Sequence, residues 1–447
     1  MAQADRSQPR EHWSWFQKTN LSSNAEASDL PESDQKDYPK LAMLGVLHMA
    51  QYFPIAFVST ALPFLFRKEG LPLEMFWLLA LPAMPRQFKF LIALVVDNYG
   101  SERIGRRKSW IIPCTVLGAG FYALLGLIPP HLENVNLIVG ILVVSAFVMA
   151  AQDIAVDGYA AESMNDAERP TGVSIINVLV AVGSTLAIAS IALVEVLGWP
   201  ITMVAAAALL VLAATPAMFR KEPPAPQAVQ VRMQRGEGPS LIRALKRKES
   251  REILPYIFLF GFGQNFLLAM LGPFWADKGM STIDYGILAP CAAIAGGILA
   301  ATTTPWLIAR TSMRVTALIG LAALPIETYV YITFNNMTEL PPLYVIIGFV
   351  AFLSWTTSLY VYCGTISRFR WVSKAQAGTD YSLQSSFWNL GLWAAGSTAG
   401  FVAGGWGYDV FFIVATLCAL VGGTYYVTRW AAIEAKVSER EHEEISA

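Results

Sequence analysis

The chain has 447 residues, of which 55% are apolar and 15% are charged, with a formal net charge of −1. Soluble domains carry about 25% charged residues, so this composition excludes an ordinary soluble protein. The net charge gives no sign of nucleic-acid binding. The four cysteines all fall inside apolar runs and show neither metal-site spacing nor a disulfide framework.

The beginning of the chain is polar. Residues 1–40 contain Ser, Asp, Glu and Gln throughout. They lack the basic region and the short apolar region of a secretory signal peptide. We expect residues 1–40 to form a polar tail in the cytoplasm.

Apolar runs of about 20 residues recur after this tail, and each is long enough to cross a bilayer core about 30 Å thick. Backbone groups in lipid must bond to one another, so runs of this length predict helices rather than barrel strands. We therefore predict an all-α integral membrane protein with twelve transmembrane helices. The predicted spans are 41–66, 72–97, 109–129, 135–160, 172–196, 199–219, 253–275, 284–309, 313–335, 342–366, 376–403 and 408–430.

Basic residues concentrate in one set of loops. The segment 220–252 alone contains nine Lys or Arg residues, whereas the loops on the other side are short and contain few. Cytoplasmic loops of membrane proteins carry an excess of Lys and Arg. This distribution predicts a multi-pass protein of a bacterial inner membrane with both termini in the cytoplasm.

The same basic segment divides the spans into two sets of six. We predict an N-terminal six-helix bundle over 41–219, a cytoplasmic basic linker over 220–252, a C-terminal six-helix bundle over 253–430 and a cytoplasmic tail over 431–447. Two parallel bundles with a path between them are the plan of many secondary transporters.

The loop between the second and third spans, VDNYGSERIGRRKSW, combines an acid, two glycines and an arginine pair. An acid at one helix end that faces bases on the next predicts a cytoplasmic latch, closed in one transporter state and broken in another. Plain positive-inside topology is the alternative interpretation. The residues of this predicted latch are Asp97, Gly100, Gly105, Arg106 and Arg107. In the second half, Asp380 and Arg368 are close enough in sequence to form a latch of their own.

This loop resembles the signature of the major facilitator superfamily. With "KFL" before it and "QDIAVDG" after it, the chain is similar to the AmpG/acetyl-coenzyme A transporter family of that superfamily. The resemblance covers Tyr52–Pro54, Lys89–Leu91, Asp97–Trp110 and Gln152–Gly158. It implies the major facilitator fold and a carrier of bulky solutes.

In the second half the resemblance depends on "QAGTDYSLQSS", residues 376–386. Together with "DGYAAE" after the acidic pair, this segment looks most like the RhtX/FptX-type siderophore permeases of that family. Muropeptide permeases resemble the chain less closely at both places.

Two acids interrupt the fourth apolar span. Asp153 and Asp157 stand at i and i+4, so they share one helix face. A charge at mid-helix costs about 2.5–3.5 kcal/mol to insert. Arg86 and Lys89 of the second span are the expected partners. With about 1.5 Å per residue, Lys89 lies roughly 12 Å and Asp153 roughly 14 Å from the cytoplasmic ends of their helices.

Two interpretations of these four charges stay open. They form a structural ion cluster, or the acids carry a proton while Arg86 or Lys89 meets an anionic substrate. Further polar or aromatic residues fall at depths suited to a substrate or proton pathway. These are Gln152 beside the acids, His48, Gln51 and Tyr52 in the first span, Gln264 and Asn265 in the seventh, Trp355 and Tyr360 in the tenth and Gln384 in the eleventh.

The sequence thus favours a secondary transporter that imports a bulky polar solute, with the proton as coupling ion. The resemblance favours a siderophore or its ferric complex, and a muropeptide or an acyl-coenzyme A is the alternative cargo. A membrane sensor that keeps the transporter fold is a rival from another class. No catalytic set, metal cluster or phosphate loop is visible, so neither enzyme activity nor a cofactor is expected. The expected partners are the small-molecule substrate, the proton and the lipid bilayer, without nucleic acid.

Overall fold

A computed structural model describes residues 36–101, 103–164, 168–222, 245–371 and 377–446. The described part is helical, and its β pairing is limited to one isolated bridge between Ser101 and Gly105. The predicted tail of residues 1–40 and the basic linker of 220–252 lie largely outside the described residues.

The first half contains eight α-helices within the described ranges. They are α1 Tyr38–Ala56, α2 Leu62–Lys68, α3 Trp77–Ala80, α4 Lys89–Asn98, α5 Lys108–Leu125, α6 Val135–Ser163, α7 Arg169–Leu197 and α8 Trp199–Phe219. The helices of the second half are α9 Ser250–Asp277, α10 Thr282–Arg310, α11 Met313–Asn336, α12 Leu343–Arg370 and α13 Ala377–Ser446.

Twelve membrane passes follow from these helices. Ten helical stretches of the described chain are long and apolar enough to cross a membrane. One of them, within α13, holds two predicted spans joined at Gly407, whose φ of 77° and ψ of 171° are not helical. The predicted second span, in short helical pieces, supplies the remaining pass. The all-α membrane fold predicted from the sequence is confirmed.

The second pass is not the single helix that the sequence predicted over 72–97. It consists of a 3-10 turn at Leu73–Met75, the short α3, a 3-10 segment at Leu81–Phe88, and α4. Proline cannot donate the backbone hydrogen bond of a helix interior. Pro82 and Pro85 both lie in the longer 3-10 segment, so the pass breaks where they occur.

The first pass also departs from regular α geometry. Pro54 lies inside α1, and the next residues, Phe57–Ala61, form a π-helical segment before α2 begins. Such bulges inside α-helices often occur at functional sites. Here Ser59 and Thr60 of the bulge line a central cavity between the two halves of the chain.

The last helix continues beyond the predicted last span. Residues 431–447 were predicted to form a cytoplasmic tail, and α13 runs through this segment as far as Ser446. Its end is bound to the start of α9, because Lys436 pairs with Glu252 and Arg440 Nη1 lies 2.9 Å from Glu249 Oε1. These ion pairs explain why the helix persists beyond its apolar run.

The two halves meet at the face away from the basic loops, which we call the opposite face. There Arg67 Nε donates to Asp277 Oδ1 at 2.5 Å, and Lys68 Nζ donates to Thr282 Oγ1 at 3.0 Å. The rings of Phe64 and Tyr285 stack with centroids 4.2 Å apart. Polar and aromatic contacts thus join α2 to the ends of α9 and α10.

Burial of apolar side chains follows the same division. The largest buried cluster contains residues of both halves, such as Phe57 and Phe274. The next two clusters each belong to one half, one around Tyr159 and one around Tyr256. The halves therefore share a core at the opposite face and have separate cores toward the face of the basic loops, the basic-loop face.

Candidate transport site

A central cavity of about 550 Å³ lies between the two halves. Most of its wall is apolar, with polar groups at a few positions. The polar residues of the wall in the first half include Gln51, Ser59, Thr60, Arg86, Gln87, Ser145 and Asp153. Those in the second half include Gln264, Asn265, Glu327, Ser354, Thr357, Ser358, Asn389 and Trp393. Ligand sites commonly combine a mainly apolar wall with a few placed polar groups.

The charged residues of the second and fourth passes lie together at this cavity. Lys89 forms an ion pair with Asp153, and Arg86 Nη2 lies 3.9 Å from the same carboxylate. Lys89 Nζ is also 3.8 Å from Asp157 Oδ2. One ammonium group therefore contacts both acids, and Asp153 lies between two cations.

Local geometry explains how two helices present these four groups. In a 3-10 helix with three residues per turn, positions i and i+3 lie above one another. Arg86 falls in the 3-10 segment and Lys89 follows at its end. On α6, one α-helical turn separates Asp153 from Asp157. The two faces meet where the second pass packs against α6.

The two acids differ in their surroundings. The side chain of Asp153 is 10% exposed, whereas that of Asp157 is 57% exposed. His48 Nε2 lies 3.2 Å from Asp157 Oδ1, while its Nδ1 lies 2.7 Å from the carbonyl oxygen of Leu44. Asp157 is thus the more exposed of the two acids, with a histidine and a lysine beside it.

The wall from the second half carries neutral groups and one acid. Asn265 Nδ2 donates to the carbonyl of Leu392 at 3.0 Å, and Gln264 Oε1 has no hydrogen-bond partner among the described residues. Glu327 Oε2 accepts a hydrogen bond of 3.0 Å from Thr357. This wall offers amide groups and a carboxyl group for contact with a solute.

At the basic-loop face, Arg106 and Arg107 both bind Glu162, at 2.6 Å and 2.7 Å. A Cβ atom at Gly158 would lie 2.5 Å from the Arg107 guanidinium carbon, so this glycine lets the arginine lie against α6. Burial disfavours the charged form of Glu162, but hydrogen bonds and charges of Arg107 and Arg106 prevail and hold its pKa below the ordinary 4.5. Glu162 was not among the residues predicted to form the latch.

The other members of the predicted latch have separate positions. Gly105 has a φ of +114°, which favours glycine, and a Cβ at Gly100 would lie 2.7 Å from the carbonyl oxygen of Arg106. These two glycines permit the tight return predicted from the sequence. The side chain of Asp97 lies outside the described part of the chain, so its predicted contact with the arginines stays a prediction.

In the second half, the predicted pairing of Asp380 with Arg368 is not what the structure shows. Asp380 pairs with Arg247, which precedes α9. Arg368 instead lies over the ring of Trp388 at 4.2 Å and donates to Ser385 Oγ at 3.3 Å. Sequence proximity misled here, because Arg247 is far from Asp380 in sequence but adjacent to it in the folded bundle.

With this geometry established, comparison with known proteins decides the family. The sequence model of the Major Facilitator Superfamily matches residues 44–362. The chain belongs to the major facilitator superfamily. Within it, the chain is 26% identical over 276 residues to the anhydromuropeptide permease of Escherichia coli (strain K12), covering 58% of this chain and 55% of that permease. An uncharacterized protein of Haemophilus influenzae is 26% identical over 257 residues, or 55% of this chain and 59% of that protein.

The chain thus spans somewhat more than half the length of these relatives. Solved structures of transporters share the superfamily fold over most of the chain. A bacterial homologue of the human lysosomal transporter Spinster matches with a TM-score of 0.67 at 14% identity, covering 90% of this chain and 99% of that one. The D-xylose-proton symporter matches with a TM-score of 0.61 at 14% identity, covering 87% and 96%.

The superfamily fold brings only some of the predicted pathway residues to the cavity. Gln51, Arg86, Asp153, Gln264 and Asn265 line it. Lys89, Asp157 and His48 lie in the charge cluster beside it, next to Asp153 and Gln51. Tyr52 is half-buried and Gln152 is fully buried, and neither is part of the lining.

Three other predicted residues point elsewhere. Trp355 donates through Nε1 to Thr303 of α10 at 2.8 Å. Tyr360 packs edge-on against Phe260 in an aromatic cluster inside the second half. Gln384 lies near Arg247 and Asp380 at the basic-loop face. Aromatic and amide composition does not reveal which way a helix is turned, and in this structure these three residues do not line the cavity.

Proposed function

We propose that this chain is a proton-driven secondary transporter that imports a bulky polar solute by alternating access. The observation that carries the proposal is the cluster of Arg86, Lys89, Asp153 and Asp157 at a cavity between the two halves. Ionisable groups inside a membrane segment are functional candidates by default, because each is expensive to bury. Here the cluster also contributes to the wall that a solute touches.

The cluster supplies a coupling step in this proposal. Asp157 is the coupling acid in this proposal, since its side chain is the more exposed of the two and since Lys89 and His48 lie beside it. Asp153, between Lys89 and Arg86, is the less favoured choice because two cations favour its charged form. A proton on Asp157 removes one negative charge from the cluster. Lys89 or Arg86 is then less fully neutralised and attracts an anionic solute.

Alternating access agrees with how the halves touch. In this structure the contacts between the halves include Arg67 with Asp277 and Phe64 with Tyr285 at the opposite face. The arrangement is that of a carrier closed at the opposite face. Transport in this proposal requires Arg67 and Asp277 to separate while the basic-loop ends approach each other.

The cargo in this proposal is oxygen-rich and bulky. Similarity to the anhydromuropeptide permease of Escherichia coli makes a muropeptide the first solute to test. The segments "DGYAAE" and "QAGTDYSLQSS", which look like siderophore permeases, make a siderophore or its ferric complex the second. An acyl-coenzyme A is the third. All three carry acidic or oxygen-rich groups that suit a wall with Arg86 and several amides.

We place the carrier in a bacterial inner membrane with both termini and the 220–252 segment in the cytoplasm. The support is the excess of basic residues in one set of loops. A reporter enzyme that is active only outside the cytoplasm, inserted into the 220–252 segment, should give no signal. Activity of that reporter would reverse the orientation.

Transport into right-side-out membrane vesicles tests the function. Vesicles containing the wild-type chain should accumulate a labelled muropeptide or a labelled ferric siderophore when the outside is acid, and an uncoupler should abolish accumulation. Asp157→Asn should lose uphill accumulation while exchange of the same solute across the membrane continues. Asp409→Asn is the matched control, because Asp409 binds Asn335 and Asn336 at the opposite face.

Two results would count against this proposal. Accumulation that stays complete in both Asp153→Asn and Asp157→Asn would leave the cluster with a packing role only. Failure of the wild type to move any of the three solutes under a pH gradient would remove the assigned cargo and leave only the superfamily.

A further inference from the structure

Glu327 is an acid of the cavity that the charge cluster does not include. It lies on α11, with 7% of its surface exposed, and it lines the cavity from the second half. At 1.5 Å per residue, it is about 21 Å along the helix from Met313, at the basic-loop end. It therefore lies deeper than Asp153 and closer to the opposite face.

The bonding of Glu327 differs from that of the acids on α6. Its Oε2 accepts one hydrogen bond, from Thr357 of α12 at 3.0 Å. Within the described residues, no Lys, Arg or His forms an ion pair with it. The titratable neighbours are Tyr331 on the same helix and, beyond it, Tyr285 of α10. Both are phenols, which carry no positive charge. From α13, Thr416 hydrogen-bonds to Thr328, the residue that follows Glu327, and threonine carries no charge.

Physical chemistry gives this environment a clear preference. A carboxylate removed from water without a cation is costly, and such a group takes up a proton instead. A single hydroxyl donor compensates only part of that cost. Asp153 has two cations and stays charged more easily. Glu327, reached from the cavity, is the acid of the wall best suited to bind a proton.

From this contrast we infer that Glu327 is a second proton-binding site, on the wall of the second half, and that its proton and the solute bind together. This inference deepens the proposed function and rests on it. The neutral carboxyl offers an O–H group to the cavity, where an oxygen atom of the solute accepts a hydrogen bond. After loss of the proton to cavity water, the carboxylate repels that same oxygen atom.

The coupling that follows is reciprocal. If protonated Glu327 favours the solute, bound solute must favour the proton on Glu327 by the same factor, and coupling of this kind is typically about 5- to 150-fold. Solute affinity should therefore fall by at least about fivefold as the pH rises through the titration of Glu327. A glutamine at this position keeps a hydrogen-bond donor but cannot titrate.

An infrared measurement tests the proton site without any substrate. The purified full chain in lipid should show the C=O stretch of a protonated carboxyl group that disappears as the pH is raised. Glu327→Gln should lose the Glu327 component of this band, while any component from Asp157 remains. Glu195→Gln, which changes an exposed glutamate on α7, should keep it. A band that is unchanged in Glu327→Gln, or a wild type without any such band at acid pH, would overturn the inference.

Solute binding and transport test the second part. Glu327→Gln should bind the solute with a smaller pH dependence than the wild type, because only the part due to Asp157 remains, and it should exchange solute without accumulating it. Thr357→Val removes the hydrogen bond but leaves the titrating acid, so its binding should still depend on pH. If Glu327 only anchors α11 to α12, Glu327→Gln will instead keep the wild-type pH dependence and accumulation.

These outcomes separate the inference from the function it depends on. If wild-type vesicles accumulate none of the solutes, the proposed function fails, and the infrared band still decides whether Glu327 binds a proton. If the wild type accumulates solute and Glu327→Gln does so equally at every pH, the proposed function stands and the Glu327 inference alone is wrong.

Discussion

The two walls of the cavity differ in how their buried polar groups are stabilised. At the first half, Asp153 of the wall and the neighbouring Asp157 are matched by Arg86, Lys89 and His48 within a few ångströms. On the wall of the second half, Glu327 has one hydroxyl partner, and the remaining polar groups there are neutral amides, hydroxyls and indoles.

This difference indicates that the two halves are suited to different roles. A cluster of matched charges can exchange partners when one acid gains a proton, so the first half is suited to switching. Neutral amides cannot exchange partners in this way, but they hydrogen-bond a solute at little electrostatic cost. The second half is therefore suited to recognition, and Glu327 is the one carboxylate among its described residues that lines the cavity.

The largest expected effect comes from breaking the ion pair of the first wall. Lys89→Ala removes the nearer partner of Asp153 and leaves only the more distant Arg86. Breaking a buried ion pair costs up to about 3–5 kcal/mol, and the remaining Arg86 keeps the expected loss at or below this range. The double variant Lys89→Ala with Asp153→Asn removes both charges and should recover the thermal stability. Thermal unfolding in detergent measures the stability of the single and the double variant. Lys246→Ala, at an exposed position, is the control.

Transport by the same double variant tests whether the charge cluster switches or only holds helices together. If the cluster switches, the recovered protein will still not accumulate solute. If the pair only holds the second pass against α6, both folding and accumulation will return. Recovery of accumulation would thus refute a switching role for the first wall.

A smaller effect is expected at the basic-loop face, where Glu162 holds two arginines. Its pKa is lowered in the folded state, so its contribution is present above the ordinary pKa and is lost as the pH falls through the lower, folded value. Hydrogen bonds to charged groups contribute about 1.5–3 kcal/mol. Glu162→Gln should therefore lower the melting temperature at neutral pH, and the gap to wild type should close in acid.

The exposed Glu133 supplies the control for this measurement. Glu133→Gln should leave the melting temperature unchanged at every pH. A gap between wild type and Glu162→Gln that stays constant down to acid pH would show that the contacts with Arg106 and Arg107 do not depend on the charge of Glu162.

The smallest expected effect is on the second wall. Asn389 lines the cavity and forms no hydrogen bond with another described residue, so its amide is open to a solute. Asn389→Ala should weaken solute binding about 2- to 10-fold, as expected for one hydrogen bond, and leave the melting temperature unchanged. Asn177→Ala, at an exposed position of α7 outside the lining, should bind normally. Equal loss in both variants would remove Asn389 from the recognition wall.

Much of the fold was predictable because the hydrophobic requirement of a bilayer acts on each segment separately. The apolar runs predicted the passes, including the boundary between the last two near Gly407. The basic segment after α8 predicted the division into halves. The neighbourhood of Lys89 and Asp153 was also accessible, since helix rise fixes depth and unpaired charges in lipid must find each other.

Other features depended on how the helices are turned and crossed, which no local pattern specifies. The prolines of the second pass were visible, but their effect on its helical geometry was not anticipated. Trp355 and Tyr360 had suitable depth yet face neighbouring helices.

By itself, then, the sequence determined what lipid and depth dictate: helical passes, their division into two sets, and a matched group of charges between the second and fourth passes. Only the tertiary structure decided which side chains share the cavity, because that depends on helix rotation and on contacts between distant segments. It brought Glu162 to Arg106 and Arg107, and Arg247 to Asp380. It also placed Glu327 on the cavity wall with a hydroxyl partner and without a cation among the described residues.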